Sequence, residues 1–202
     1  MTNARLIPTV IRSVLLAGLV ALAGCKVASV EQSVVSQVKD PRSPDGQMEF
    51  WHKLAEQPLT SNDDAFHGLL LYADGADDSP DYASRVEKLK QRGMLPAGFD
   101  APATEAVQRG TVAMAVLKLI GERGGLMLRL LGPTPRYATR ELTYLGLLPT
   151  SSPRQTFTGA QFVGVIGRIE DYQRGNPADK PAAELPGESA NVSGETPTTQ
   201  PN

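Results

Sequence analysis

One cysteine in 202 residues excludes an intramolecular disulfide framework and any multi-cysteine metal or iron–sulfur centre. Histidine is almost as scarce. His52 and His67 are not joined by a His-Glu-x-x-His, Gly-x-Ser-x-Gly or phosphate-cradling motif, so no metal ligand set, catalytic residue or cofactor is read from them. Neither sign of charge dominates: 20 Lys and Arg stand against 22 Asp and Glu, which excludes the basic signature of a dedicated nucleic-acid binder. Aromatics make up only 5% of the chain, and none lies before Phe50 or after Tyr172. The longest apolar run, Val14 to Leu22, is too short to cross a bilayer as a helix.

These absences concentrate at the two ends. Residues 1–24 carry Arg5 and Arg12 without an acid, then the apolar run, which is the order of an export signal. Leu22-Ala23-Gly24-Cys25 follows, and it resembles the lipobox of bacterial lipoproteins at every position. That resemblance implies a mature chain starting at Cys25, with a diacylglycerol thioether and an amide-linked acyl chain. Two or three such chains make anchoring effectively permanent. Lys26, rather than Asp, after the cysteine implies the outer membrane, facing the periplasm. Residues 25–47 read as a tether, with one weak stripe of Val27, Val30, Val34 and Val38 stopped by Pro41 and Pro44. Residues 173–202 hold five prolines, and Leu185 and Val192 are their only large aliphatics, so they read as a disordered acidic tail.

Between 48 and 172 the apolar period is helical, and the expected fold is all-α: a small bundle of repeated helical hairpins. Helix starts are expected at Ser61-Asn62-Asp63-Asp64, at Ser79-Pro80 and at the capping box Thr158-Gly159-Ala160-Gln161. Gly75, Gly93, Gly121 and Gly146 are expected stops. Leu126 to Leu131 fits either a helix or a strand. Tyr82-Ala83-Ser84-Arg85 recurs as Tyr137-Ala138-Thr139-Arg140, and Gly93-Met94-Leu95-Pro96 as Gly146-Leu147-Leu148-Pro149. Each turn leads to an apolar helix, opened by Val107-Gln108-Arg109-Gly110-Thr111 and by Phe157-Thr158-Gly159-Ala160-Gln161. This order makes an internal repeat, and residues 48–75 are a candidate third copy whose sequence does not align with the other two.

The repeated unit resembles the S-layer homology module of bacterial envelope proteins, whose long helix opens with an Ile-Thr-Arg-Ala-Glu-like run. The resemblance covers 80–172 and implies three modules in a pseudo-threefold bundle. It also implies a cell-wall polymer as ligand, with Arg109 alone placed to inherit the role of the motif arginine.

Charge is segregated along the chain. Residues 45–105 hold twelve acids and five bases, whereas 106–174 hold nine bases and four acids. Eight of those bases are arginines, Arg109, Arg136 and Arg140 among them, and arginine suits bidentate contact with carboxylate or phosphate. Either this half binds an anionic glycan or an acidic partner, or it packs against the acidic half. Asp74 to Asp81 fails as a calcium loop, because twelve-residue frames from Asp74 or Asp77 end on Arg85 or Lys88. His67, four residues after Asp63, is expected to pair with it on one helix face. The expected function is therefore non-catalytic: an envelope lipoprotein that binds a cell-wall polysaccharide or peptidoglycan-linked polymer. The alternatives are a protein adaptor and, third, a hydrolase without a local motif. Cys25→Ser should move the protein from the membrane fraction to the soluble fraction; an already soluble wild-type protein would contradict the anchor.

Overall fold

Five of the six described α-helices begin where a side chain accepts from the otherwise unpaired first-turn amides. Ser43 accepts from Gly46 N, Ser61 from Asp64 N, Asp81 from Ser84 N and Thr134 from Tyr137 N. At Thr158 the capping box forms in full: Gln161 N donates to Thr158 Oγ1 at 3.2 Å, and Thr158 N donates to Gln161 Oε1 at 3.3 Å. The structure is a computed structural model that describes residues 27–121 and 134–175. Among them are six α-helices and three isolated β-bridges, with no sheet. The helices are α1 (Pro44–Ala55), α2 (Asn62–Asp74), α3 (Tyr82–Gln91), α4 (Arg109–Leu119), α5 (Pro135–Tyr144) and α6 (Gly159–Gly175). The fold class is all-α. None of the helices is long and apolar enough to cross a membrane. Cys25, the signal-like segment, the span Leu126 to Leu131 and the chain after Gly175 lie outside the described residues.

The helices form three modules of two: α1–α2, α3–α4 and α5–α6. In each, the start of the second helix is hydrogen-bonded to the loop before another module's second helix. Asn62 N donates to Glu105 O at 2.8 Å, Arg109 N to Gln155 O at 2.7 Å and Gly159 N to Gln57 O at 2.9 Å. Asp63 N to Ala103 O and Gly110 N to Pro153 O repeat the pattern one residue on. The three contacts run first to second, second to third and third to first, so the modules close into a ring with pseudo-threefold symmetry. Side-chain packing follows the same order: α2 lies on α3, α4 on α5 and α6 on α1. Residues 48–75 therefore belong to a third copy, and its equivalence resides in backbone pairing that sequence identity does not reveal. The copies also differ in register. Leu89 O accepts from Met94 and Leu95 just as Leu142 O accepts from Leu147 and Leu148. Aligned on these turns, Arg85 corresponds to Ala138, and the Tyr-Ala-Ser/Thr-Arg match is offset by two residues.

The core is contiguous across the ring and takes Phe50, Leu54, Phe66, Leu69, Val107, Val112, Val116, Leu142, Phe157, Phe162 and Ile169 out of water. The large aromatic side chains supply much of that apolar area. Phe157 and Phe162 meet edge to face at 6.0 Å.

Three expectations are corrected. The tether expected over 25–47 is, from residue 27, an ordered strap docked on the domain. Val34, Val35 and Val38 are buried around a 3-10 turn, Val35–Gln37, and Val30 N donates to Thr104 O at 2.9 Å. The valine stripe thus has a partner surface, supplied by residues far along the chain. Pro44 does not stop a helix; it is the first residue of α1, behind the cap Ser43, because a first-turn proline forfeits no helical hydrogen bond. Similarly, α3 starts after Asp81 and not at Ser79-Pro80.

Glycine is required where α6 meets α1. A Cβ on Gly159 would lie 1.5 Å from Leu54 O, a backbone atom that no rotamer change can move. Gly159→Ala should lower stability by about 3 kcal/mol or more, measured by urea unfolding. An unchanged midpoint would mean that the ring does not close at this contact.

Candidate functional site

The first two modules share a buried ionic chain built from two helices, the loop between them and the strap. Arg85, on the buried side of α3 and only 5% exposed, donates from Nε to Asp77 Oδ2 at 2.5 Å and from Nη1 to Asp63 Oδ1 at 2.7 Å. Asp77 sits in the loop after α2, and its other oxygen accepts from Ser79 N at 3.0 Å. His67 Nδ1 lies 2.7 Å from the same carboxylate, so the Nδ1–H tautomer is the one that satisfies it. At the far end, Ser33 Oγ of the strap donates to Asp63 Oδ2 at 2.9 Å. The neighbouring Asp64 accepts from Val35 N at 3.1 Å and from Ser61 Oγ at 2.6 Å. The acids at the start of α2 thus hold both the capping side chain Ser61 and the strap.

Burial acts differently on the two carboxyls. For Asp77 it works to raise the pKa, but hydrogen bonds from His67, Ser79 and Arg85 outweigh it and hold the group well below the ordinary carboxylate range. For Asp64 burial wins over the Ser61 and Val35 hydrogen bonds, and its pKa is raised. The expected Asp63–His67 pair is corrected: Arg85 takes Asp63, and His67 takes Asp77.

A cavity of about 430 Å³ opens beside this chain, lined by Asp63, Asp77, Arg85, Tyr82 and strap residues including Asp40 and Arg42. Its floor is an internally satisfied set of charges. Ser33 is bonded to Asp63 and not to a histidine, and His67 is fully buried with its Nε2 unpartnered against the edge of Phe50. This arrangement serves as a lock that pins the strap against α2 and α3. The Asp74–Asp81 loop is bound up in it, with cationic or N–H partners on Asp77, and Asp74 paired to Arg92 and Lys88.

The three arginines singled out in the sequence occupy different environments. Arg109 is 7% exposed at the first turn of α4, where burial lowers its pKa. Its Nε donates to Thr156 O at 3.3 Å, its Nη2 donates to Gln161 Oε1 at 2.9 Å, and its guanidinium stands 5.2 Å from the Phe157 ring centroid. It fastens the second module to the capping box of the third. Arg136 and Arg140 are exposed on α5 at i and i+4, and Tyr144 continues the stripe at i+8 with 85% of its surface in solvent. Arg154 is exposed in the loop before α6, next to Pro153, which packs with Pro135 over Gly110. Among the described residues no ion pair joins the acidic half to the Arg-rich half. The acids at 63, 74 and 77 are paired with Arg85, Lys88 and Arg92 of their own half, and among the described residues Arg136, Arg140 and Arg154 have no counter-charge. Sequence reasoning missed Tyr144 as part of this surface, although its spacing from Arg136 and Arg140 was the available signal.

Removing the central cation of the lock has a definite pH signature. Arg85→Met should cost about 3–5 kcal/mol at neutral pH by leaving the Asp63 and Asp77 carboxylates buried without their counter-charge. Because the Asp77 pKa is depressed in the folded state, its stabilising contribution is complete above the unfolded value and fades as pH falls through the folded one. The gap between wild type and variant should therefore narrow below about pH 4 in urea titrations; a pH-independent gap would contradict the ionic origin.

No protein family, no curated protein and no solved structure matches this chain.

Proposed function

We propose that this chain is a non-catalytic lipoprotein of the bacterial cell envelope, anchored through acylated Cys25, whose ring of three modules holds an anionic cell-wall polymer, a polysaccharide or other chain linked to peptidoglycan. The observation that carries the reading is the exposed stripe Arg136–Arg140–Tyr144, flanked by Arg154 and free of any intramolecular ion pair among the described residues. Two unpaired guanidiniums one helical turn apart can each fork onto a carboxylate or phosphate. An exposed tyrosine ring beside them offers the apolar face on which a sugar packs, at little cost in side-chain entropy.

Arg109 enters this reading as a positioning residue. By gripping Thr156 O and Gln161 it sets the loop that carries Arg154. Three modules closing into a ring also agree with the architecture implied by the resemblance to S-layer homology modules. Placement in the outer membrane, facing the periplasm, puts the stripe within reach of the wall. A protein adaptor would use the same arginines for an acidic partner; the aromatic end of the stripe favours the glycan.

Sedimentation with purified sacculi separates the two. Each charge-assisted contact contributes about 1.5–3 kcal/mol, so Arg136→Ala with Arg140→Ala should weaken co-sedimentation by roughly tenfold or more. Added salt should weaken the wild type as well. No binding by the wild type, or undiminished binding by the double variant, would overturn the proposal.

A further inference from the structure

The ring carries three equivalent extended edges, in the loops before α4, α6 and α2, and they differ in what covers them. At the first, the strap adds antiparallel to Thr104–Ala106: Val30 N donates to Thr104 O and Ala106 N donates to Ala28 O, both at 2.9 Å, with Ser29 opposite Glu105. The backbone contacts that place Glu105 beside Asn62 place Gln155 beside Arg109 and Gln57 beside Gly159. The equivalents of Thr104 O and Ala106 N are therefore Arg154 O and Thr156 N on the second edge. The inner side of that edge is filled in the same way, since Gln108 bridges Thr156 as Ser61 bridges Ala106. The turn behind it matches too, with Gln155 N donating to Ser152 O as Glu105 N donates to Pro102 O. Yet Arg154 O and Thr156 N have no hydrogen-bond partner among the described residues. On the third edge the chain carries one extra residue: Gly159 N donates to Gln57 O and Thr60 N to Phe157 O, so Pro58 and Leu59 together stand where Ala106 stands alone, and the register of the edge is broken. One edge is thus paired, one is interrupted by a bulge that contains a proline, and one is open.

We infer that the open edge Arg154–Thr156 is a docking site for an extended segment, and that its occupant is this chain's own C-terminal segment around Ala190-Asn191-Val192. Three observations select that occupant. The triplet repeats the pattern of the strap's pairing triplet, Ala28-Ser29-Val30, and residues 187–196 contain no proline that would remove a donor. Glu188 and Glu195 flank it, while the edge is bordered by Arg154 and Arg136, whose neighbours Pro153 and Pro135 pack together over Gly110. A second copy's strap fits less well. The carboxylates that hold Ser33 and Val35 at the first edge, Asp63 and Asp64, are replaced by Gly110 and Thr111 at the second.

The reach is sufficient. Helix α6 carries the chain about 25 Å from the edge at 1.5 Å per residue, and the fifteen residues from Gly175 to Ala190 can span about 50 Å when extended. Tethered in this way, a weakly pairing segment meets the edge at an effective concentration near the millimolar range. In the docked state Val192 N donates to Arg154 O, Thr156 N donates to Ala190 O, and alternate side chains face opposite ways as in any added strand.

Amide hydrogen exchange on the full chain tests this at a single atom. The Thr156 amide should exchange roughly tenfold or more slowly in the wild type than in Val192→Pro, which removes the pairing donor outside the helical domain. The paired Ala106 amide, covered by the strap, should be unchanged by that substitution. Protection at Thr156 should be independent of protein concentration, and it should weaken in Glu188→Gln with Glu195→Gln. Equal Thr156 exchange in wild type and Val192→Pro would overturn the inference. Protection that grows with protein concentration would overturn the assignment to the same chain and give the edge to a second copy's tail.

Discussion

The backbone amides at the start of each module's second helix cannot be satisfied within that helix, and this domain satisfies them with carbonyls from another module. That one constraint sets the architecture. Each module supplies acceptors to one partner and donors to the other, so three modules with this geometry close on themselves. Closure then demands a glycine where α6 grazes Leu54 and brings Phe157 and Phe162 into a shared core. It also determines which side chains face inward at each junction. Asn62, Arg109 and Gly159 occupy equivalent places, and each is accommodated differently: Asn62 bonds Pro102 O, Arg109 reaches across to Gln161, and Gly159 allows backbone contact. Symmetry of the backbone coexists with complete divergence of the side chains.

Local chemistry was the legible part of the sequence. Ser61, Thr158 and Gln161 announce their helix starts because a cap and its acceptor lie within three residues of each other. Gly75 announces a stop because α2 ends in a left-handed residue, φ +74°. Two of the three modules showed themselves as well. What stayed hidden depends on partners distant in the chain. The strap looked like a spacer because Ser33 and Val35 find their carboxylates about thirty residues away. Helical spacing points His67 to Asp63, one turn before it, whereas the loop folds Asp77 back onto it. The third module was invisible because Asn62 shares nothing with Arg109 except its amide geometry. The same ambiguity affected the arginines: Arg85 and Arg140 occupy matching tetrapeptides, but a two-residue register shift buries one in an ionic chain and leaves the other in solvent.

The two halves of the charge pattern do different work. The acidic half ties Asp63, Asp74 and Asp77 to His67, Arg85, Lys88 and Arg92, and so locks α2, α3 and the strap together. The Arg-rich half spends only Arg109 and Arg168 on internal carbonyl and amide oxygens in the described residues. It leaves Arg136, Arg140 and Arg154 available, and the proposed envelope role rests on that surplus. A net charge near zero therefore conceals a domain polarised between a half with an excess of acids and an open cationic one. The strap is fastened to the acidic side, at α2 and the loop before α4.

Ring closure is the central claim, and one residue reports on it directly. Trp51 is the only tryptophan; it sits on α1, meets Phe50 edge to face at 5.1 Å and lies beside Gly68 of α2 at the junction with α6. In urea, its fluorescence and the helical circular dichroism of the whole chain should trace a single coincident transition, because opening the first module exposes the core of the third. A Trp51 transition at lower urea that leaves most helical signal intact would show modules strung in a line, and would contradict the closed ring.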